Sequence, residues 1–136
     1  METLGSLCDK LSIIKLKQYH TEDPFKQISL TDQEIMLVEE INTYIKNPPK
    51  MLVVPANKIY SGMEDCTLQG TIGNLIKELS SINCDLWHEQ EKVYDFINVP
   101  DCEKNGVIQC IAMLNIQRNQ CIEGIDKEFE KICIQK

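Results

Sequence analysis

Residues 4–23 read LGSLCDKLSIIKLKQYHTED, and residues 72–91 read IGNLIKELSSINCDLWHEQE. Set against each other at a constant offset of 68, with no gap, six of the 20 positions are identical: Gly5/Gly73, Leu7/Leu75, Leu11/Leu79, Ser12/Ser80, Ile14/Ile82 and His20/His88. Leu4/Ile72, Tyr19/Trp87 and Asp23/Glu91 are conservative pairs. Two amphipathic helices would match at apolar positions, but not at Gly, Ser and His in one register. The expectation is a duplicated helical hairpin, two tandem copies forming an all-α, four-helix bundle-like domain with pseudo-two-fold symmetry.

Working outward, the first copy opens a helix over residues 3–23. Leu4, Leu7, Leu11 and Ile14 recur at spacings of three and four, one face of a helix. Pro24 is expected to end it. A second helix is expected over residues 32–46, started by a capping box at Thr31-Asp32-Gln33-Glu34 with Leu30 and Ile35 as a hydrophobic staple, and stopped by Pro48 and Pro49. Residues 47–70 then form a long linker with three prolines and two glycines, in which Met51 to Val54 is expected to pack on the bundle in extended form. The third helix spans residues 71–97 with a stripe of Leu75, Leu79, Ile82, Leu86 and Val93. The fourth runs from Pro100 to residue 132 with Ile111, Ile122, Ile125 and Phe129 on one stripe, and Asn105-Gly106 threatens its first turns. The whole reads as one domain: a hairpin at 1–46, the linker, and a hairpin at 71–136.

Composition sets the class. The 136 residues are 43% hydrophobic and 26% charged, the balance of a folded chain, and the net charge is −7. Both halves are mildly acidic, which argues against non-specific binding to nucleic acid or anionic membranes. The N-terminal residues lack a basic stretch leading into an apolar run, so no secretory leader is expected, and no apolar run is long enough for a bilayer. Seven cysteines, at 8, 66, 84, 102, 110, 121 and 133, include no CxxC pair and read as reduced thiols in a cytoplasmic protein. Thirteen of the 14 basic residues are Lys, which with the abundance of Ile and Asn suggests an AT-rich genome such as that of a low-GC bacterium or a phage.

The single Arg is the most informative residue. At 100° per residue, Asn115 and Arg118 fall on the apolar stripe of the fourth helix. A buried Arg requires a partner, and its planar fork suits a carboxylate or phosphate. One reading is an internal ion pair joining helices three and four; another is an anion-binding group in a ligand site. An antiparallel hairpin brings residues 86–90 opposite 112–118, so Glu89 and Gln90 are expected within reach of Arg118. Cys84, His88 and Glu91 share one face and are usable metal ligands, although such spacing is common and a structural histidine is the plainer reading. The first hairpin repeats the aromatic-His start in Tyr19-His20-Thr21-Glu22-Asp23, with no Arg in its second helix. No phosphate loop, nucleophile elbow or HExxH is present.

Trp87-His88-Glu89-Gln90-Glu91, followed by Leu114-Asn115-Ile116-Gln117-Arg118 and Ile122-Glu123-Gly124-Ile125-Asp126, resembles a family of small all-helical bacterial and phage proteins of unknown function. Their hallmark is W-H-x-E-D, then N-x-x-R-x-x-x-I-x-x-I-D. The match covers about residues 72–129, and the first half is a degenerate repeat that keeps H-x-E-D at residues 20–23. Gln90 and Glu91 depart from the pattern and leave Arg118 freer for an outside anion. The resemblance implies a helical hairpin with a polar cluster between its helices, and no established activity.

The function expected is a non-enzymatic binding module for a small anionic, nucleotide-like ligand. Its residues would be Trp87, His88, Gln90, Glu91, Asn115 and Arg118, with Tyr19, His20 and Glu22 from the first hairpin. No catalytic residue, metal or cofactor is expected. In a phage such a module would sequester a host signal. The alternative is a structural assembly protein, a homo-oligomer joined through Gly73, Ser80, Cys84 and Trp87, with Arg118 in an internal ion pair. A metal-dependent hydrolase is the third reading.

Overall fold

A computed structural model describes residues 2–49 and 70–134 of the chain. Within them the chain forms four α-helices and no strand: α1 (Leu4–His20), α2 (Pro24–Lys46), α3 (Ile72–Tyr94) and α4 (Asp101–Ile134). The linker reading at 47–70, including Met51 to Val54, falls almost wholly outside the described residues.

Local chemistry sets each boundary. Thr3 caps α1, its hydroxyl accepting from the Ser6 amide while the Ser6 hydroxyl accepts from the Thr3 amide, a reciprocal capping box. The helix stops at His20, and residues 21–23 form a tight connection. Asp23 then caps α2 by accepting from the Phe25 amide at 2.9 Å, with Pro24 at the first helical position. This corrects the expected start of the second helix near residue 32. Pro24 ends one helix and also begins the next, because its missing N–H costs nothing in a first turn. The Thr31-to-Glu34 capping box therefore lies mid-helix, where the Thr31 hydroxyl donates back to the Gln27 carbonyl at 2.8 Å. Gln27 fixes the hairpin by donating to the carbonyls of Gln18 and Thr21 at the C-terminal end of α1.

The third helix ends at Tyr94, three residues earlier than expected, and a single 3-10 turn at Phe96–Asn98 leads to α4. Asn105 and Gly106 do not interrupt α4, whose 34 residues run for about 51 Å.

The pairing of residues gives helix directions. Gln27 reaches Gln18 and Thr21 while Glu34, further along α2, reaches back to Lys15, so α2 runs antiparallel to α1. Gly5 meets Asp126 and Asp9 meets Arg118, so α4 is antiparallel to α1. Asp9 meets Asn83 while His20 meets Trp87, so α3 runs parallel to α1. The core is shared by α1, α3 and α4: Leu4, Leu75, Leu79, Ile82, Leu86, Cys121, Ile125 and Phe129 are buried together, each large apolar side chain contributing about 1.5–3 kcal/mol. Helix α2 lies outside this core against α1. Its one buried residue is Leu30, and Tyr44 reaches in to meet the Phe129 ring at 5.6 Å between centroids. Val93, expected in the α3 stripe, is 45% exposed. Beyond Trp87 the α3–α4 pair outruns the C-terminal end of α1, and Val93 and Tyr94 are exposed among the described residues.

Helices α1 and α4 approach closely at Gly5. A Cβ there would stand 2.3 Å from the Ile122 carbonyl oxygen, and the Gly5 amide donates to Asp126 Oδ1 at 2.7 Å. Asp126 thus supplies α4's carboxylate to an orphan amide of the first turn of α1. Burial pushes its pKa up, and the Gly5 and Thr3 hydrogen bonds only partly counter that. Gly73, the repeat partner of Gly5, is exposed, and a Cβ there would meet nothing within 4 Å.

Candidate functional site

Arg118 does not meet Glu89 or Gln90 on α3. Its partner is Asp9 on α1, gripped by both arms of the guanidinium: Nε donates to Oδ1 at 2.9 Å and Nη2 to Oδ2 at 2.5 Å. Asn83 Nδ2 donates to the same Oδ1 at 2.9 Å and lies 3.3 Å from Ser12 Oγ. Asp9 is buried, Asn83 is buried, and the Arg118 side chain is 31% exposed. Three helices are therefore joined by one polar knot, in which Asp9 raises the pKa of Arg118 against the opposing effect of burial. Neither Asp9 nor Asn83 stood out in the sequence, because Asp9 sits between Cys8 and Lys10 with no mark of burial. Asn115, one turn along α4, accepts at its carbonyl from Asn119 Nδ2. Glu89 is engaged elsewhere, by Lys92 at 2.9 Å.

One turn beyond Asn83, the end of α1 meets α3 in a cluster of rings. His20 stacks on Trp87 with centroids 4.6 Å apart and planes 21° apart. Tyr19 stands edge-on to His20 at 5.1 Å, and His88 edge-on at 6.1 Å. His20 Nδ1 lies 2.8 Å from the Leu16 carbonyl oxygen, which can only accept, so Nδ1 carries the proton. His88 Nδ1 and Glu91 Oε1 are 3.9 Å apart.

Two clefts open on either side of this stack. One, of about 410 Å³, is lined by His20, Trp87, Gln90, Glu91 and Tyr94. The other, of about 440 Å³, lies where α1, the start of α2 and Trp87 converge; Lys17, His20, Lys26, Ser29, Gln33 and Trp87 are among its lining residues. No Asp or Glu lines the second cleft. Among the described residues neither Lys17 nor Lys26 is ion-paired, whereas Lys10, Lys15, Lys92, Lys104 and Lys131 each hold a carboxylate. Of the residues expected in a site, His20, Trp87, Gln90 and Glu91 line these clefts, and Tyr19 and His88 sit against the ring stack. Glu22 is exposed in the α1–α2 connection, and Asn115 and Arg118 line neither cleft.

Lys26 and Ser29 were missed because residues 24–31 fell between the two expected helices, and without them Lys17 and Gln33 had no cleft to line. With α2 starting at Pro24, the antiparallel hairpin sets Lys26 opposite the end of α1, and the two lysines share a cleft.

Among the described residues no group of three or more His, Cys, Asp or Glu side chains converges to hold a metal, so Cys84 does not complete a site with His88 and Glu91. Buried Cys121 and half-buried Cys8 have thiols pushed up to about 11, chiefly by burial, which keeps them protonated. No described helix is long and apolar enough to cross a membrane. Compared with protein families, curated proteins and solved structures, the chain matches none.

Proposed function

We propose that the chain is a non-enzymatic binding module for a small anionic, nucleotide-like ligand, held in the cleft between the end of α1, the start of α2 and Trp87. One observation carries this reading. In a chain of net charge −7, two lysines that have no carboxylate partner among the described residues and His20 line a cleft with no described acid in its lining, beside an indole ring. Lysine ammonium groups suit phosphate, and an aromatic face suits a base. Ser29 and Gln33 supply neutral hydrogen-bonding groups. Gln90, Glu91 and Tyr94, in the adjoining cleft, extend the site past the ring stack.

In this reading Arg118 and Asn115 belong to the scaffold, and Arg118 holds α1 in place rather than touching ligand. The resemblance to small bacterial and phage helical proteins fits a sequestering role in the cytoplasm. We also read the two hairpins as a duplication. Thr3 and Thr71 cap α1 and α3 at the same offset of 68, each accepting from the third amide of its helix. The copies then diverged at the polar knot, where Asp9 corresponds to Lys77 and Gly5 keeps a contact that Gly73 lacks.

Trp87 is the only tryptophan, so its fluorescence reports the site directly. Titration with AMP, ADP, ATP and inorganic phosphate should give a saturable change with a nucleotide. The change should weaken at high salt and fall at least tenfold in affinity in Lys17→Ala/Lys26→Ala. No saturable response to any of the four, or an unaltered response in the double variant, would overturn the reading.

A further inference from the structure

Helix α2 carries two apolar seams. The inner one, Leu30, Leu37, Ile41 and Tyr44, faces α1 and the core. A second runs along the outer face: Ile28, Thr31, Ile35, Val38, Asn42 and Ile45, at spacings of three, four, three, four and three. That is a heptad repeat with β-branched residues at all but one position. Among the described residues it is left uncovered: Ile28 is 63% exposed, Ile35 52%, Val38 41% and Ile45 49%, with Thr31 and Asn42 also exposed.

We propose that this seam is the interface of an antiparallel two-fold dimer, its occupant a second copy of the same chain. The order of residues along the seam is the first reason. It reads apolar, polar, apolar, apolar, polar, apolar, and is therefore palindromic. With a two-fold axis between Ile35 and Val38, Ile28 faces the partner's Ile45, Ile35 faces the partner's Val38, and Thr31 faces the partner's Asn42. Every layer matches in polarity, and the interface closes on itself. Because the Thr31 hydroxyl already donates to the Gln27 carbonyl, its oxygen is left to accept from the amide of the partner's Asn42.

Charge is the second reason. Antiparallel pairing aims Asp32 toward the partner's Lys46 at both ends of the seam, and neither residue is ion-paired within the described residues. Fourteen residues separate the two along one helix, about 21 Å, so they meet only between chains. Parallel pairing would instead bring Glu34 against the partner's Glu39 twice. The antiparallel form keeps acidic neighbours near its axis, where Glu39 approaches the partner's Glu39 and Asp32. The seam with its flanking residues offers on the order of 600 Å² per chain, at the lower edge of stable interfaces. The lysine-lined cleft lies on a different side of α2, so the dimer and the ligand site do not compete.

The test uses the full chain in sedimentation equilibrium at about 0.1 mM, in reducing buffer. The wild type should have twice the chain mass. Ile35→Glu and Val38→Glu should be monomeric with unchanged helical circular dichroism, since both positions are exposed, and Glu39→Gln should tighten the dimer. Under oxidation, in a background with Cys66, Cys102 and Cys110 changed to Ser, Thr31→Cys/Asn42→Cys should form a covalent dimer that neither single variant forms. A monomeric wild type, a dimer that survives both Glu variants, or cross-linking by Thr31→Cys alone, which requires a parallel seam, would each overturn the proposal.

Discussion

Asp9 gathers three donors, two from Arg118 and one from Asn83, and leaves almost none of its carboxylate to water. The arrangement follows from what each group can do. A buried carboxylate needs paired donors, and only a guanidinium offers two in parallel. The consequence for stability is asymmetric. Arg118→Ala should cost about 3 kcal/mol in urea unfolding, the lower end of the range for breaking a buried pair, because the arginine is itself partly exposed. Arg118→Lys should recover only part of this, since an ammonium cannot span both oxygens. Replacing both partners with apolar residues of similar size, Asp9→Leu/Arg118→Met, should be milder than Arg118→Ala alone, because no charge is stranded. An Arg118→Ala variant as stable as the parent would show that the knot contributes nothing to stability. The sequence marked one half of this pair and not the other. A lone arginine on an apolar stripe is conspicuous, whereas an aspartate beside a lysine looks like any solvated position until a third helix covers it.

Among the elements, α2 separates local from tertiary signals. Two stretches of its sequence compete as helix starts, and the structure uses Asp23-Pro24 rather than Thr31-to-Glu34. Asp23→Ala should therefore lower the thermal stability by about 1 kcal/mol, the usual worth of an N-cap. Thr31→Ala should leave helical circular dichroism intact, since it is an interior position where Ala is the better helix former. The reverse order of effects would restore the later start. The four helices, their order and most of the α3 and α4 stripes were legible, because periodicity at 3.6 residues is written directly in Leu75, Leu79, Ile82 and Leu86. The start of α2 was not, since a proline reads equally as a stop and as a first-turn residue. That one ambiguity hid the cleft, because Lys26 faces Lys17 only if the helix already exists at residue 26. His20 and Trp87 were each legible as candidate site residues, but their mutual stacking depends on α1 and α3 running side by side, which spacing alone does not decide.

At the scale of the whole molecule, burial is unevenly distributed. Helices α1, α3 and α4 share the apolar core, and the second half of α4 is covered on most sides, with Cys121 and Ile125 fully buried. Helix α2 buries Leu30 alone and is held mainly by α1. Local opening free energy tracks buried apolar contact, so α2 should open without the rest of the fold. In hydrogen exchange on dilute protein, amides in residues 28–45 should exchange at least about tenfold faster than those in residues 118–130. Dimerisation through the outer seam adds a second, concentration-dependent condition. Binding that requires a formed α2 stabilises it by mass action, so raising the protein concentration should slow exchange in residues 28–45 and leave 118–130 unchanged. In Ile35→Glu the concentration dependence should vanish while the difference between the two segments remains, because that difference belongs to the monomer's packing. Equal exchange in both segments of dilute wild type would mean that α2 is bound into the core more firmly than its single buried residue allows. Concentration-independent protection of α2 would place its stabilisation within one chain and remove the role assigned to the seam.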